Sequence, residues 1–157
     1  MILVLLGTQN NDFSRLLREI ERNIDKSNIE EEVVVQAGFT KYASEKMKIF
    51  DMISTDKINE LIDEASFIIT HAGVGSIINS LKKGKKVIAV PRLQEYNEHV
   101  NNHQLDIVSN FNDKGYIVGI KDVRELEDAL KRIKEFNPKE YISNTENIIK
   151  IIEDFIG

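Results

Sequence analysis

A chain of 157 residues, 41% hydrophobic and 30% charged, has the size and composition of one folded domain. Its 21 Lys and Arg against 26 Asp and Glu leave a net charge of −5, which argues against nucleic-acid binding, work that calls for a basic excess. The absence of cysteine excludes disulfides, thiolate catalysis and cysteine-bound zinc or iron–sulfur clusters.

In chain order, apolar Ile2–Leu6 reads as a buried strand; it lacks the basic start and cleavage site of a secretory signal. Phe13, Leu16, Leu17, Ile20 and Ile24 follow the spacing of one helix face. Val33–Gln36 reads as the second strand, Met47–Ile53 holds a short third, and Ile58, Leu61, Ile62 and Ala65 mark a helix capped by Ser54 or Thr55. Phe67–Thr70 is a strand, Ser76–Lys82 a helix and Val87–Val90 a strand closed by Pro91. Val100, Gln104, Ile107, Val108 and Phe111 share a helical stripe, and Tyr116–Ile120 reads as a further strand. Asp122 and Glu125 have capping-box spacing ahead of a helix carrying Leu126, Ala129, Leu130 and Ile133. Asn137-Pro138 interrupts, and a last helix over about 139–156 carries Ile148, Ile149, Ile152 and Phe155.

Short Val/Ile/Leu strands alternating with amphipathic helices predict an α/β fold, a parallel sheet with helices on both faces, built from residues 1–157 as a single domain. No apolar run reaches the roughly 18–20 residues that span a bilayer, so the expected location is cytosolic. Ligands of such sheets bind beyond the carboxyl ends of the strands, which singles out Gly7–Asp12, Gly38–Ser44, His71–Gly75 and Pro91–His99.

In His71-Ala72-Gly73-Val74-Gly75-Ser76, two glycines allow close approach of the backbone, and the helix that follows offers unpaired amides to a phosphate. The same turn serves packing alone if glycine is needed only for space. As a dinucleotide fingerprint it fails, because the third glycine position holds Ile78. The segment from Pro91 to Gln104 gathers Arg92, Gln94, Tyr96, Asn97, His99, Asn101, Asn102, His103 and Gln104 at the mouth of the sheet. Gln104 sits on an otherwise apolar stripe, where an amide needs a buried partner or a ligand. A sugar, whose hydroxyls donate and accept, is one such ligand; a self-capped solvated loop is the other reading. His99 and His103 stand four apart, a metal-ligand spacing, but Glu98 precedes His99 and no Asp-x-Asp pair occurs, so no metal is expected. Arg92 and helix ends then become the candidates for stabilising a departing diphosphate. Gly7-Thr8-Gln9 and Gly38 are turn residues on the same edge, and Lys82-Lys83-Gly84-Lys85-Lys86 reads as a solvated helix-end turn.

These motifs together resemble the C-terminal half of family 28 glycosyltransferases, above all the small subunits of two-part enzymes. The likeness runs over nearly the whole chain: Leu5–Gln9, Phe13–Leu17, Val35–Gly38, the Ile69–Ile77 segment, Val90–Arg92, Tyr96–Asn101 and His103-Gln104. It implies a GT-B enzyme divided between two chains, of which this one binds a UDP-sugar without a cofactor. A membrane-anchored partner would bind a lipid-linked acceptor and supply the base, holding this chain at the inner face of the membrane. The reaction implied is inverting transfer of a hexose or N-acetylhexosamine, in capsule, exopolysaccharide or eukaryotic dolichol-linked synthesis. Carried over by position, His71, Gly73, Gly75 and Ser76 would approach the diphosphate and nucleotide, and His103 and Gln104 the sugar. Arg92 and His99 would line the cleft, with His99 the fallback base. Asn79 stands where single-chain relatives have a ribose-binding Glu, a weaker partner for a hydroxyl than a carboxylate. That departure and the missing base keep open a non-catalytic module that binds UDP-sugar and activates its partner. The apolar last helix is the candidate partner surface.

Overall fold

The computed structural model describes residues 1–141, so the last helix of the sequence reading lies outside the described residues beyond that point. Six strands, β1 Ile2–Leu5, β2 Val33–Gln36, β3 Lys48–Phe50, β4 Phe67–His71, β5 Val87–Val90 and β6 Val118–Gly119, form one sheet. Every pairing is parallel, in the order β3-β2-β1-β4-β5-β6. The helices are α1 Ser14–Asp25, α2 Thr55–Glu64, α3 Val74–Lys82, α4 His103–Asp113 and α5 Leu126–Glu135. This is the Rossmann-like architecture the sequence predicts. The strand order runs outward in opposite directions from β1 and β4, which opens a crevice beyond their carboxyl ends.

Alternation along β1 divides the core into two layers. Ile2, Val4 and Leu6 pack with Leu16, Leu17 and Ile20 of α1 and Leu126, Leu130 and Ile133 of α5. Leu3 and Leu5 pack with Ile62 of α2, Ile77 of α3 and Ile107 and Phe111 of α4 on the other face. Each such aliphatic side chain contributes about 1.5–3 kcal/mol by leaving water. Ser54 caps α2, its Oγ accepting from Lys57 N at 3.1 Å. Asp122 and Glu125 form the expected capping box, although it opens a 3-10 turn over Val123–Glu125 before α5 begins.

Several details differ from the sequence reading, among them α3, which starts at Val74 and not at Ser76. β4 runs one residue further, placing His71 in the ladder opposite Val90 and making it a buried strand end instead of a loop residue. The strand expected over Tyr116–Ile120 shrinks to Val118–Gly119, which among the described residues pairs with Ile88 and Ala89 at the edge of the sheet. Gly119 is needed there, since a Cβ would lie 2.5 Å from Val108 Cγ1. Val100 falls before α4 and is 75% exposed, outside the buried stripe assigned to it. The lysine run is also more engaged than a solvated turn. Lys85 Nζ donates to the carbonyls of Asp63 and Ala65 at the end of α2, and Lys86 Nζ to Ile133 and Lys134 at the end of α5. Cations at helix carboxyl ends meet both orphan carbonyls and the negative end of the helix dipole.

Candidate functional site

A cavity of about 360 Å³ occupies the switch point between β1 and β4. Gly7, Thr8 and Gln9 after β1, His71, Gly73, Gly75, Ser76 and Asn79 of β4–α3, and Met52, Ile53, Thr55 and Ile58 around the start of α2 line it. α3 begins at Val74 with no side chain among the described residues capping it, and its first amides have no intrahelical partners. They lie beside the lining residues Gly75 and Ser76, so this wall presents N–H donors and the positive end of a helix dipole. Leu5, Met52, Ile53 and Ile58 give the cavity an apolar part, and Asn79 Nδ2 donates to Asn59 Oδ1 at 3.1 Å.

The floor of the cavity is set by backbone locks. Gly7 has φ +73°, and Gln36 holds it from both sides, Oε1 accepting from Gly7 N at 3.2 Å and Nε2 donating to Gly7 O at 3.1 Å. Gly38, at φ +60°, packs so close that a Cβ would lie 2.3 Å from Gly7 O. The His71 ring is wedged between two glycines: a Cβ at Gly7 would sit 2.3 Å from Nε2, and one at Gly73 2.5 Å from Cε1. The ring is 6% exposed, and burial, with the positive charge of Arg92 and His99 nearby, holds its pKa down to about 3. At neutral pH it is therefore an uncharged imidazole. It is also the one titratable side chain among the lining residues.

The loop from Pro91 to Asn102 is built differently. Arg92 is fully buried, and its guanidinium donates to three backbone carbonyls: Leu6 at 2.8 Å, Asn11 at 2.7 Å and Glu98 at 3.2 Å. It stacks 4.9 Å from the Phe13 ring, and burial pulls its pKa down to about 10 against the opposing attraction of Glu98 and Asp12. Glu98, 2% exposed, takes both Arg15 Nε at 2.9 Å and Nη2 at 3.1 Å, and accepts from Leu93 N. Arg15 in turn lies 3.9 Å from the Tyr96 ring. Gln104 is buried, with Oε1 accepting from Arg92 N at 2.9 Å and Nε2 3.3 Å from His71 Nδ1. Asn102 Oδ1 accepts from Gln94 N, and His103 is exposed at the start of α4.

Of the residues singled out from sequence, the structure brings Gly7, Thr8, Gln9, His71, Gly73, Gly75, Ser76 and Asn79 to one cavity. Gly38 supports it from behind. Arg92, His99, Asn102, His103 and Gln104 are not among its lining residues. His99 lines a separate, open depression of about 440 Å³ with Asn11, Gln94, Asn97 and Val100, its pKa lowered mainly by burial. Among the described residues no group of three His, Asp or Glu gathers as a metal site. Gln36, Arg15 and Glu98 are contributors the sequence reading did not assign. Glu98 was legible only as a carboxylate in a polar run, with its partner Arg15 83 residues away.

Residues 1–156 match the glycosyltransferase family 28 C-terminal domain. The chain belongs to that family. Within it, the UDP-N-acetylglucosamine transferase subunit ALG13 of Candida glabrata is 32% identical over 109 residues, covering 67% of this chain and 53% of that protein. The ALG13 subunit of Debaryomyces hansenii is 28% identical over 156 residues, covering 89% of this chain and 72% of the relative. The chain thus spans about half the length of the first of these relatives. An NMR solution structure of ALG13 superposes with a TM-score of 0.66 at 19% identity, covering 99% of this chain and 96% of that one. The glycosyltransferase of kitacinnamycin gives a TM-score of 0.56 at 14% identity, with 98% of this chain on 38% of that chain. At those identities the two structures speak for the fold: this family 28 chain has the Rossmann-like architecture of one half of a GT-B glycosyltransferase. Among the described residues no helix is long and apolar enough to cross a membrane.

Proposed function

We propose that this chain is the donor-binding half of a two-chain, UDP-sugar-dependent glycosyltransferase that transfers an N-acetylhexosamine or hexose to a lipid-linked acceptor. The observation that carries this reading is the switch-point cavity, where the uncapped start of α3 meets the Gly7 turn and the neutral His71 ring. A diphosphate suits the α3 amides, which meet its charge without a cation. A nucleobase suits the apolar part formed by Met52, Ile53 and Ile58, and Asn79 is within the same lining to meet a ribose hydroxyl. The ALG13 likeness favours UDP-N-acetylglucosamine as donor.

The attacking hydroxyl of an acceptor must lose a proton, and the cavity supplies no matched base. His71, with a pKa of about 3, takes up a proton too weakly for that role. The base then comes from a membrane-anchored partner chain, with His99 of the neighbouring depression as the alternative within this chain. A capsule or exopolysaccharide pathway and a dolichol-linked one both fit such a division of labour. The test is calorimetric titration with UDP, UDP-N-acetylglucosamine, UDP-glucose and NAD. UDP binding that is lost in Ser76→Trp, which fills the cavity, is the expected result. NAD binding, or UDP binding untouched by that substitution, would overturn the reading.

A further inference from the structure

Gln104 is 4% exposed, and each end of its amide meets a protein group instead of the cavity. One end is unambiguous. The backbone N–H of Arg92 can only donate, so the atom 2.9 Å from it is the Gln104 oxygen. The other end is then the NH2 group, which also only donates, and it lies 3.3 Å from His71 Nδ1. Nδ1 must accept, so the single proton of the neutral ring sits on Nε2. That nitrogen is packed against Gly7 and belongs to a residue lining the switch-point cavity.

We infer that Gln104 is a positioning residue that locks His71 in its Nε2–H tautomer, so that the ring offers the cavity a hydrogen-bond donor and never an acceptor. The lock starts from the backbone amide of Arg92, two residues past β5, passes through one side chain of α4 and ends at the last residue of β4. It accounts for an amide on the apolar stripe of α4 without a sugar contact. Only the identity of what accepts from Nε2–H rests on the proposed function: a phosphate oxygen accepts, whereas a cation finds no lone pair there.

The test is the ring nitrogen signature of His71 in the 15N-labelled full chain at pH 7, read from long-range proton–nitrogen spectra without ligand. The wild type is expected to carry the proton on Nε2 and none on Nδ1. Gln104→Glu replaces the donor NH2 by an acceptor oxygen and is expected to draw a proton onto Nδ1, a change that loosened packing alone would not produce. A protonated Nδ1 in the wild type, or a bare Nδ1 in folded Gln104→Glu, overturns the lock. If that variant does not fold, the wild-type spectrum decides alone. With the lock released in Gln104→Leu, UDP is expected to bind about fivefold more weakly, the size of one neutral hydrogen bond. An unchanged affinity would overturn the role of Nε2–H as a donor to ligand. A wild-type chain that shows the Nε2–H signature but binds no UDP overturns the proposed ligand and leaves the lock standing.

Discussion

The turn after β4 and the loop after β5 leave the same edge of the sheet and look equally rich in ligand-binding residues, yet they differ in kind. The first, His71–Gly75, has one polar side chain, His71, and among the described residues no side chain caps the helix amides that follow it. In the second, from Pro91 to Gln104, the three most polar buried side chains, Arg92, Glu98 and Gln104, are all bonded to protein groups, and among the described residues only Arg92 Nε is left over. One region is a place where the protein stops satisfying itself; the other is a brace. Polarity in a loop therefore does not by itself mark a site: donors left free along a cavity wall do.

The substitution expected to matter most for folding is Arg92→Ala. It would strand the buried carbonyls of Leu6 and Glu98, release the part-buried one of Asn11 and leave a void beside Phe13, costing about 3–5 kcal/mol in urea denaturation. A folded Arg92→Ala of unchanged stability that no longer binds UDP would make the brace a ligand loop and break the comparison. Next in size is an effect of acid. Unfolded, His71 takes a proton below its ordinary value of 6.5, whereas the folded ring resists until about 3. Stability from this group is therefore complete above pH 6.5 and falls as the pH drops toward 3, by about 2 kcal/mol between pH 7 and pH 5. His71→Gln should flatten that slope in denaturant melts at several pH values, leaving the smaller contribution of His99.

The glycines of the first region sharpen the contrast further. A Cβ at Gly73 would press on the His71 ring, so Gly73→Ala should weaken UDP binding by roughly tenfold or more and cost about 1–3 kcal/mol. Gly75, by contrast, has nothing among the described residues within 4 Å of an added Cβ, and Gly75→Ala should raise the melting temperature slightly, through about 0.5 kcal/mol of stability. Equal effects at the two positions would mean that the turn is shaped by the backbone alone. The smallest expected change is Lys86→Ala, about 0.5 kcal/mol from the loss of a cation at the end of α5.

Much of the fold was legible because parallel strands buried on both faces are continuous apolar runs. Val33–Gln36 and Val87–Val90 came out with their observed limits. The end of β4 was misread by one residue because His71 is polar, although the ladder accepts it opposite Val90. Tyr116–Ile120 reads as a full strand, but only Val118 and Gly119 enter the ladder, with Ile120 N donating to Ala89 O beyond it. At the site, glycine spacing and a following helix were enough to find the α3 turn. The stripe of α4 also showed that Gln104 needs a buried partner or a ligand, and the family likeness pointed to a sugar. Which partner lay beyond reach: Arg92 and His71 are 12 and 33 residues away and meet it only through the strand order. Arg92 looked like an anion-binding side chain for the same reason, since nothing local reveals that its donors end on Leu6 and Asn11.

The strand order also sets a timetable for biosynthesis. β1 pairs with β2 from Ile2↔Val33 and with β4 from Ile2↔Phe67, so its second neighbour is made 65 residues after it. At ribosomal speeds of about 5–20 residues per second, this central apolar strand waits roughly 3–13 s with one edge bare. A nascent chain halted between β2 and β4 carries an unpaired Ile-Leu-Val-Leu template, the kind of edge that recruits other chains. The same central position that lets β1 floor the cavity makes it the strand most in need of a chaperone during translation.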